Sequence, residues 1–209
     1  MPRPTINPRK IVAFTGAGIS APSGISTFRS AGGLWEQHRI EDVATPEGWA
    51  KNPELVLQFY NDRRKALSAA APNESHRCLA ALEERFEVVV VTQNVDDLHE
   101  RAGSTQVAHL HGELRKARST LDDSMIVDVG YSAIHIGQMC PKGGQLRPHI
   151  VWFGEAVMLF DVALQHIMDA DKFVVVGSSL TVFPAAALVQ FARVDAEKII
   201  IDLDPPPPR

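Results

Sequence analysis

His109 and His111 stand either side of Leu110 in the run His-Leu-His-Gly-Glu-Leu. On an extended segment alternate residues share a side, so both imidazoles face the same way. Three kinds of chemistry suit such a pair: a general base with a pKa near neutrality, two ligands to a metal, or a hydrogen-bonded couple inside the core. Nearer the start, Gly16-Ala17-Gly18-Ile19-Ser20-Ala21 follows an apolar run and reads G-x-G-x-x-A. Glycines at such a turn let the backbone approach a pyrophosphate, whose charge meets free N–H groups at a helix start. A tight strand-to-helix turn without any ligand gives the same pattern. No second strand ending in an acid arrives about 20 residues later, so the dehydrogenase fingerprint is incomplete. In its place comes Ser26-Thr27-Phe28-Arg29-Ser30-Ala31-Gly32-Gly33-Leu34-Trp35, a glycine-containing loop with aromatic rings and a cation that could close over a bound nucleotide.

More polar clusters sit where apolar runs stop. Gln93-Asn94-Val95-Asp96, Gly177-Ser178-Ser179 and Asp202-Leu203-Asp204 each follow a β-branched stretch. Any one of them reads equally well as a cap or turn. Together with the glycine turn they make four polar strand ends, and parallel sheets bind ligands just past the carboxyl ends of their strands. Tyr60 and Arg63 lie three apart and share one face of a helix. A guanidinium beside a phenol can clamp a carboxylate, although Arg63-Arg64-Lys65 also reads as an ordinary solvated face.

These residues need a scaffold, and the apolar pattern predicts one. Strand-length runs at Lys10–Thr15, Val88–Thr92, Val107–Leu110, Ile150–Phe153, Phe173–Val176 and Lys198–Ile201 alternate with helical patterns. Asn52-Pro53-Glu54 supplies a cap, a first-position proline and a first-turn acid for a helix to about Ala70. Further helices are expected at Glu74–Glu84, Asp96–Arg101, Phe160–Met168 and Pro184–Arg193. The predicted fold is α/β, a Rossmann-like parallel sheet with helices on both faces plus a small inserted lobe. Residues 112–147 are polar without a clear period and form the lobe; residues 1–111 and 148–209 form the nucleotide-binding domain.

Composition bounds the rest. With 209 residues, 45% hydrophobic, 22% charged and a net charge of −4, the chain is an ordinary soluble domain with nothing to favour nucleic acid as partner. No apolar run is long enough for a bilayer, and MPRPTINPRK lacks the apolar stretch of a secretory signal, so a cytoplasmic location and no membrane partner are expected. Only Cys78 and Cys140 are present, which excludes a four-thiolate zinc site built by this chain alone.

GAGIS, STFRS, TQNVDDLHERAG, HLHGEL, LRPHIVWFGE and the later Gly-Ser-Ser together resemble the sirtuins, NAD-dependent protein lysine deacylases, from about Lys10 to Asp204. The resemblance implies that NAD is a co-substrate and that acylated-lysine proteins or peptides are the partners. The acyl oxygen attacks the ribose carbon that carries nicotinamide, and His111 is the general base toward a ribose hydroxyl. By matched motif, Gly16, Ala17, Gly18 and Ser20 contact phosphates; Phe28, Arg29 and Trp35 belong to the covering loop. Gln93, Asn94, Val95 and Asp96 hold ribose and carboxamide, and Gly177, Ser178, Ser179, Asp202, Leu203 and Asp204 serve the adenosine side. The segment Val151-Trp152-Phe153-Gly154-Glu155 pairs its backbone with an extended substrate peptide, and Val151, Phe153, Gly154 and Glu155 line the substrate.

Ala44 with the Tyr60/Arg63 pair resembles the subclass that removes malonyl, succinyl and glutaryl groups, with acetyl-lysine as another substrate. Two departures stand out. Most sirtuins hold the lobe on zinc with four cysteines; here Cys140-Pro141-Lys142-Gly143 has glycine at the second position and Ser119 replaces another cysteine. No metal is expected, a degenerate site using His135, Cys140 and a carboxylate being the alternative. Asp202 stands where asparagine is usual, and the family's further packing element past that point is replaced by Pro205–Arg209, which predicts weakened NAD affinity. A catalytically impaired NAD or ADP-ribose binding module and a protein ADP-ribosyltransferase are the other readings.

Overall fold

The computed structural model describes residues 10–27 and 38–203. Among them, β1 (Lys10–Thr15), β2 (Glu87–Thr92), β3 (Val107–His109), β7 (Lys172–Val176) and β8 (Glu197–Ile201) form a parallel sheet in the order β3-β2-β1-β7-β8. β1 lies at the centre and all its residues are buried, which accounts for its unbroken run KIVAFT. Alternation sorts the side chains onto two faces. Val12, Phe14, Val89, Val91, Phe173 and Val175 meet Ala163 and Ile167 of α6 (Phe160–Met168) and Leu188 of a 3-10 helix (Ala185–Phe191). Ile11, Ala13, Val88, Val90, Val174 and Val176 turn the other way, toward Leu79 of α4 (Glu74–Leu82). Helices therefore cover both faces, as the alternation of elements predicts. Each such side chain taken from water contributes about 1.5–3 kcal/mol. β3 and β8 are the edges, and the residues of β8 are exposed.

Among the described residues the remaining α-helices are α1 (Ile40–Val43), α2 (Pro46–Lys51), α3 (Pro53–Ala69) and α5 (Leu98–Ala102). The α3 start is as expected: Asn52 Oδ1 accepts from the Leu55 N–H at 3.1 Å and Pro53 takes the first turn. Gly103, at φ +109°, ends α5 in a left-handed conformation that suits glycine.

Two expectations need correction. Ile150–Phe153 is not a strand of the central sheet. Ile150 closes β6 (Leu146–Ile150), which pairs antiparallel with β4 (Gly112–Ser119), and β4 pairs with β5 (Ile126–Asp128) in a separate sheet, order β5-β4-β6. An apolar run reports burial, not the sheet it joins. Second, the segment read as aperiodic holds an eight-residue strand, GELRKARS. Its strand character is disguised because its arginine Arg118 is buried against acceptors.

Candidate active site

Because β1, β2, β3, β7 and β8 run parallel, their carboxyl ends share one rim. The Gly16 N–H donates to the Val176 carbonyl (3.0 Å), the Gly18 N–H to the Gly177 carbonyl (2.9 Å) and the Gly177 N–H to the Ile201 carbonyl (2.9 Å). A Cβ on Gly16 would lie 2.6 Å from the Gly177 oxygen, and one on Gly177, at φ +60°, only 2.3 Å from the Ile19 nitrogen. The two glycine turns interlock, so no larger residue fits either.

Behind this turn lies a buried polar network. Asn94 Nδ2 donates to the Gly16 carbonyl (3.0 Å) and to Ser20 Oγ (3.1 Å), and Ser20 Oγ donates to Asp96 Oδ2 (3.0 Å). Asp96 Oδ1 accepts from the Leu98 N–H, and burial raises its pKa against the lowering effect of these donors. Gln93 Nε2 donates to Ser178 Oγ (2.9 Å), tying β2 to β7. Ser20, Asn94, Val95 and Asp96 line a pocket with Ala17, Gly24, Ile25, Ser26, Asp62, Arg63, Ala66 and Leu114. Polar side chains from strand ends thus share this pocket with apolar Ala17, Ile25, Ala66 and Leu114.

The network continues into His76, which lies in none of the motifs, and His99, which stands in TQNVDDLHERAG without an assigned role. Thr15 Oγ1 lies 3.0 Å from His99 Nε2 and 2.8 Å from Thr92 Oγ1, and the His99 ring packs edge-on against His76. His76 Nδ1 accepts from the Asn73 N–H in the capping box of α4, the one sequence signal that could have located it. Burial brings His76 down to about 4 and His99 to about 3.

His109 and His111 diverge in role. Each points Nδ1 at a β2-end carbonyl, Asn94 O and Gln93 O respectively, both at 3.0 Å. His109 Nε2 meets Glu100 Oε1 at 2.7 Å. Burial opposes charging His109, but Glu100 and the Asn94 carbonyl raise its pKa overall, so its ring is committed to a partly exposed carboxylate rather than left open as a ligand. Among the described residues His111 meets no such carboxylate, and burial lowers its pKa. A carbonyl can only accept, so Nδ1 of His111 carries the proton and Nε2 keeps its lone pair. That is the arrangement of a neutral general base.

A second wall starts from α3. Tyr60 is buried, accepts from Trp152 Nε1–H at 3.1 Å, and is pushed up to about 12 by burial. The Arg63 guanidinium lies 5.6 Å from the Tyr60 ring centroid and lines the pocket. Arg64, the neighbour that suggested a solvated face, is instead buried and donates to the Leu114 carbonyl (2.6 Å) and Asn61 Oδ1 (2.6 Å). Ala44 is buried, and its carbonyl accepts from the Phe153 N–H at 2.9 Å. The Val151 N–H donates to the His111 carbonyl, the Trp152 N–H to Glu155 Oε2 and the Glu155 N–H to the Trp152 carbonyl. These donors, with that of Phe153, are committed within the protein. Glu155 also accepts from Arg147 Nη2 (2.6 Å) and Arg118 Nη2 (2.9 Å), so its carboxylate is an anchor for the loop.

Some sequence-predicted positions stand apart. Ser179 is exposed and pairs with Thr181, and Asp202 and Leu203 lie at the open β8 edge, Leu203 fully exposed. Phe28, Arg29, Trp35 and Asp204 lie outside the described residues. In the lobe, the Cys140 thiol donates to Ser119 Oγ (3.2 Å) and accepts from the Gly144 N–H (3.3 Å). Gly143 offers no donor side chain, and His135 is exposed. These residues do not fit a four-ligand zinc site. No helix among the described residues is long and apolar enough to cross a membrane.

The Sir2 family sequence pattern matches residues 16–184. A Bacteroides thetaiotaomicron NAD-dependent protein deacylase is 48% identical over 209 aligned residues, covering 94% of this chain and 86% of that protein. A Helicobacter pylori NAD-dependent protein deacylase is 49% identical over 197 residues, covering 94% of this chain and 85% of its own. The crystal structure of a Sir2 homologue–NAD complex superposes with a TM-score of 0.85 at 43% identity, covering 95% of this chain and 79% of that one.

Proposed function

Because this chain belongs to the Sir2 family, we propose that it is an NAD-dependent protein-lysine deacylase that removes succinyl, malonyl and acetyl groups and releases nicotinamide and O-acyl-ADP-ribose. NAD supplies a ribose carbon with a cationic leaving group. The chain holds it: Gly16, Ala17, Gly18 and Ser20 face the phosphates, Gln93 to Asp96 the ribose and carboxamide, and Gly177 to Ser179 with Asp202, Leu203 and Asp204 the adenosine side. Phe28, Arg29 and Trp35 cover the reacting end and exclude water. Acylated-lysine peptides lie along Val151, Phe153, Gly154 and Glu155 through backbone carbonyls, and Ala44 leaves room for the acyl group.

The observation that carries this reading is the Nδ1–H of His111 donating to the Gln93 carbonyl, which leaves Nε2 as the base for a ribose hydroxyl. Tyr60 and Arg63 read the far carboxylate of a dicarboxylic acyl group, a role that the Arg63 position on the pocket wall supports. The lobe, residues 112–147, does without zinc, with the Cys140–Ser119 contact in place of a ligand set. The enzyme works in the cytoplasm, apart from nucleic acid and membranes.

Mass spectrometry of a succinyl-lysine peptide incubated with NAD tests the reaction. O-succinyl-ADP-ribose is expected; no product indicates a binding module, and ADP-ribosylated protein indicates a transferase. In the same assay Arg63→Met lowers the succinyl-to-acetyl rate ratio about 10-fold or more, in line with a charged hydrogen-bonded pair. Equal loss on both peptides removes the carboxylate role.

A further inference from the structure

We infer that Trp152 is a positioning residue for acyl-group discrimination, its indole N–H occupying the Tyr60 oxygen so that the phenol proton is aimed at the acyl carboxylate. The inference rests on the reading of Tyr60 and Arg63 as the carboxylate clamp.

An indole N–H can only donate. At 3.1 Å from the Tyr60 oxygen it must therefore be the donor and the phenol the acceptor. The phenol has one proton, and that proton points away from Trp152. Without this partner the hydroxyl is free to turn its proton elsewhere and present a lone pair, which repels a carboxylate. Burial holds the phenol in its protonated form, so the donor persists at any working pH.

The indole is itself fixed. Arg147 stacks on it with the guanidinium carbon 3.8 Å from the ring centroid, and Trp49 packs against it at 5.8 Å between centroids. Glu155 accepts from Arg147 Nη2 through one oxygen and from the Trp152 N–H through the other. A guanidinium with both a carboxylate and a ring partner cannot shift without breaking one of them. Trp152 and Tyr60 are both buried behind the pocket, which Arg63 lines, and the indole N–H reaches that side only through its bond to the Tyr60 oxygen.

Trp152→Phe keeps an aromatic ring and removes the N–H together with part of the indole's volume, and the Tyr60→Phe background separates those two losses. With succinyl and acetyl peptides at saturating NAD, KM for the succinyl peptide rises about fivefold, the scale of one hydrogen bond, with little change in kcat. The acetyl peptide, which has no carboxylate to read, shows a clearly smaller rise in KM, the part that the shared substrate loop contributes. In a Tyr60→Phe background Trp152→Phe moves the ratio no further. Equal changes on both peptides, or the same ratio change in both backgrounds, overturn the inference. Tyr60→Phe alone gives a second reading should Trp152→Phe fail to fold: an unchanged succinyl-to-acetyl ratio there also overturns it. If Arg63→Met depresses both peptides equally, the clamp itself has failed; if it discriminates and Trp152→Phe does not, only the present inference falls.

Discussion

Lowering the pH strikes the fold at the buried pair His76 and His99, and His99→Gln makes the effect measurable. Both rings are fully buried, and burial carries them from the usual 6.5 down to about 4 and about 3. The folded state keeps them neutral while the unfolded chain protonates them near 6.5. Their stabilising contribution is thus full above 6.5 and is lost as pH falls toward the folded values. Each unit below 6.5 costs about 1.4 kcal/mol per histidine, so near pH 5 each has cost about 2 kcal/mol. Neither folded value is reached by then, so that figure does not depend on their separation. Asp96 and His109, both raised in the fold, work in the opposite sense: burial makes ionised Asp96 unfavourable, and the Glu100 pairing of His109 is lost as pH rises. They are common to both proteins and cancel in the difference. Urea midpoints and slopes at pH 7 and near pH 5 should show wild type losing about 2 kcal/mol more than His99→Gln over that interval. The absolute stability of the variant at pH 7 is irrelevant, since it also loses the Thr15 contact. An identical pH dependence in the two proteins refutes the assignment of His99 as a buried neutral group.

Two further outcomes are expected. His111→Asn lowers kcat about 100-fold or more while calorimetric ADP-ribose affinity stays unchanged, and the acid limb of wild-type kcat/KM falls below 6.5 because burial lowers the His111 pKa; a limb above 6.5 contradicts this. Metal analysis of the purified protein finds far less than one zinc per chain, and a full, tightly held equivalent overturns the zinc-free lobe.

β1, β2 and β7 were legible because they are buried on two faces and rich in β-branched residues, and β8 was legible from its isoleucines although its residues are exposed. The rim of polar strand ends followed from parallel topology. What the sequence hid was sheet membership, since Ile150 reads alike in either sheet, and the partners of charge. Arg64 and Arg118 look like solvated residues until the Leu114 carbonyl and Glu155 are seen to receive them. His109 and His111 could not be separated either: the difference is Glu100, distant from neither in sequence yet placed only by the α5 turn.

The interlocked turns of Gly16, Gly18 and Gly177 bear on what drift could erase. Each glycine is held by the other turn's backbone, so a descendant that had lost all use for nucleotide would still be selected to keep them for folding. The glycine fingerprint is therefore a poor witness to catalysis in any relative. Replacement at His111, which no such contact protects, is where a lapsed enzyme would first betray itself.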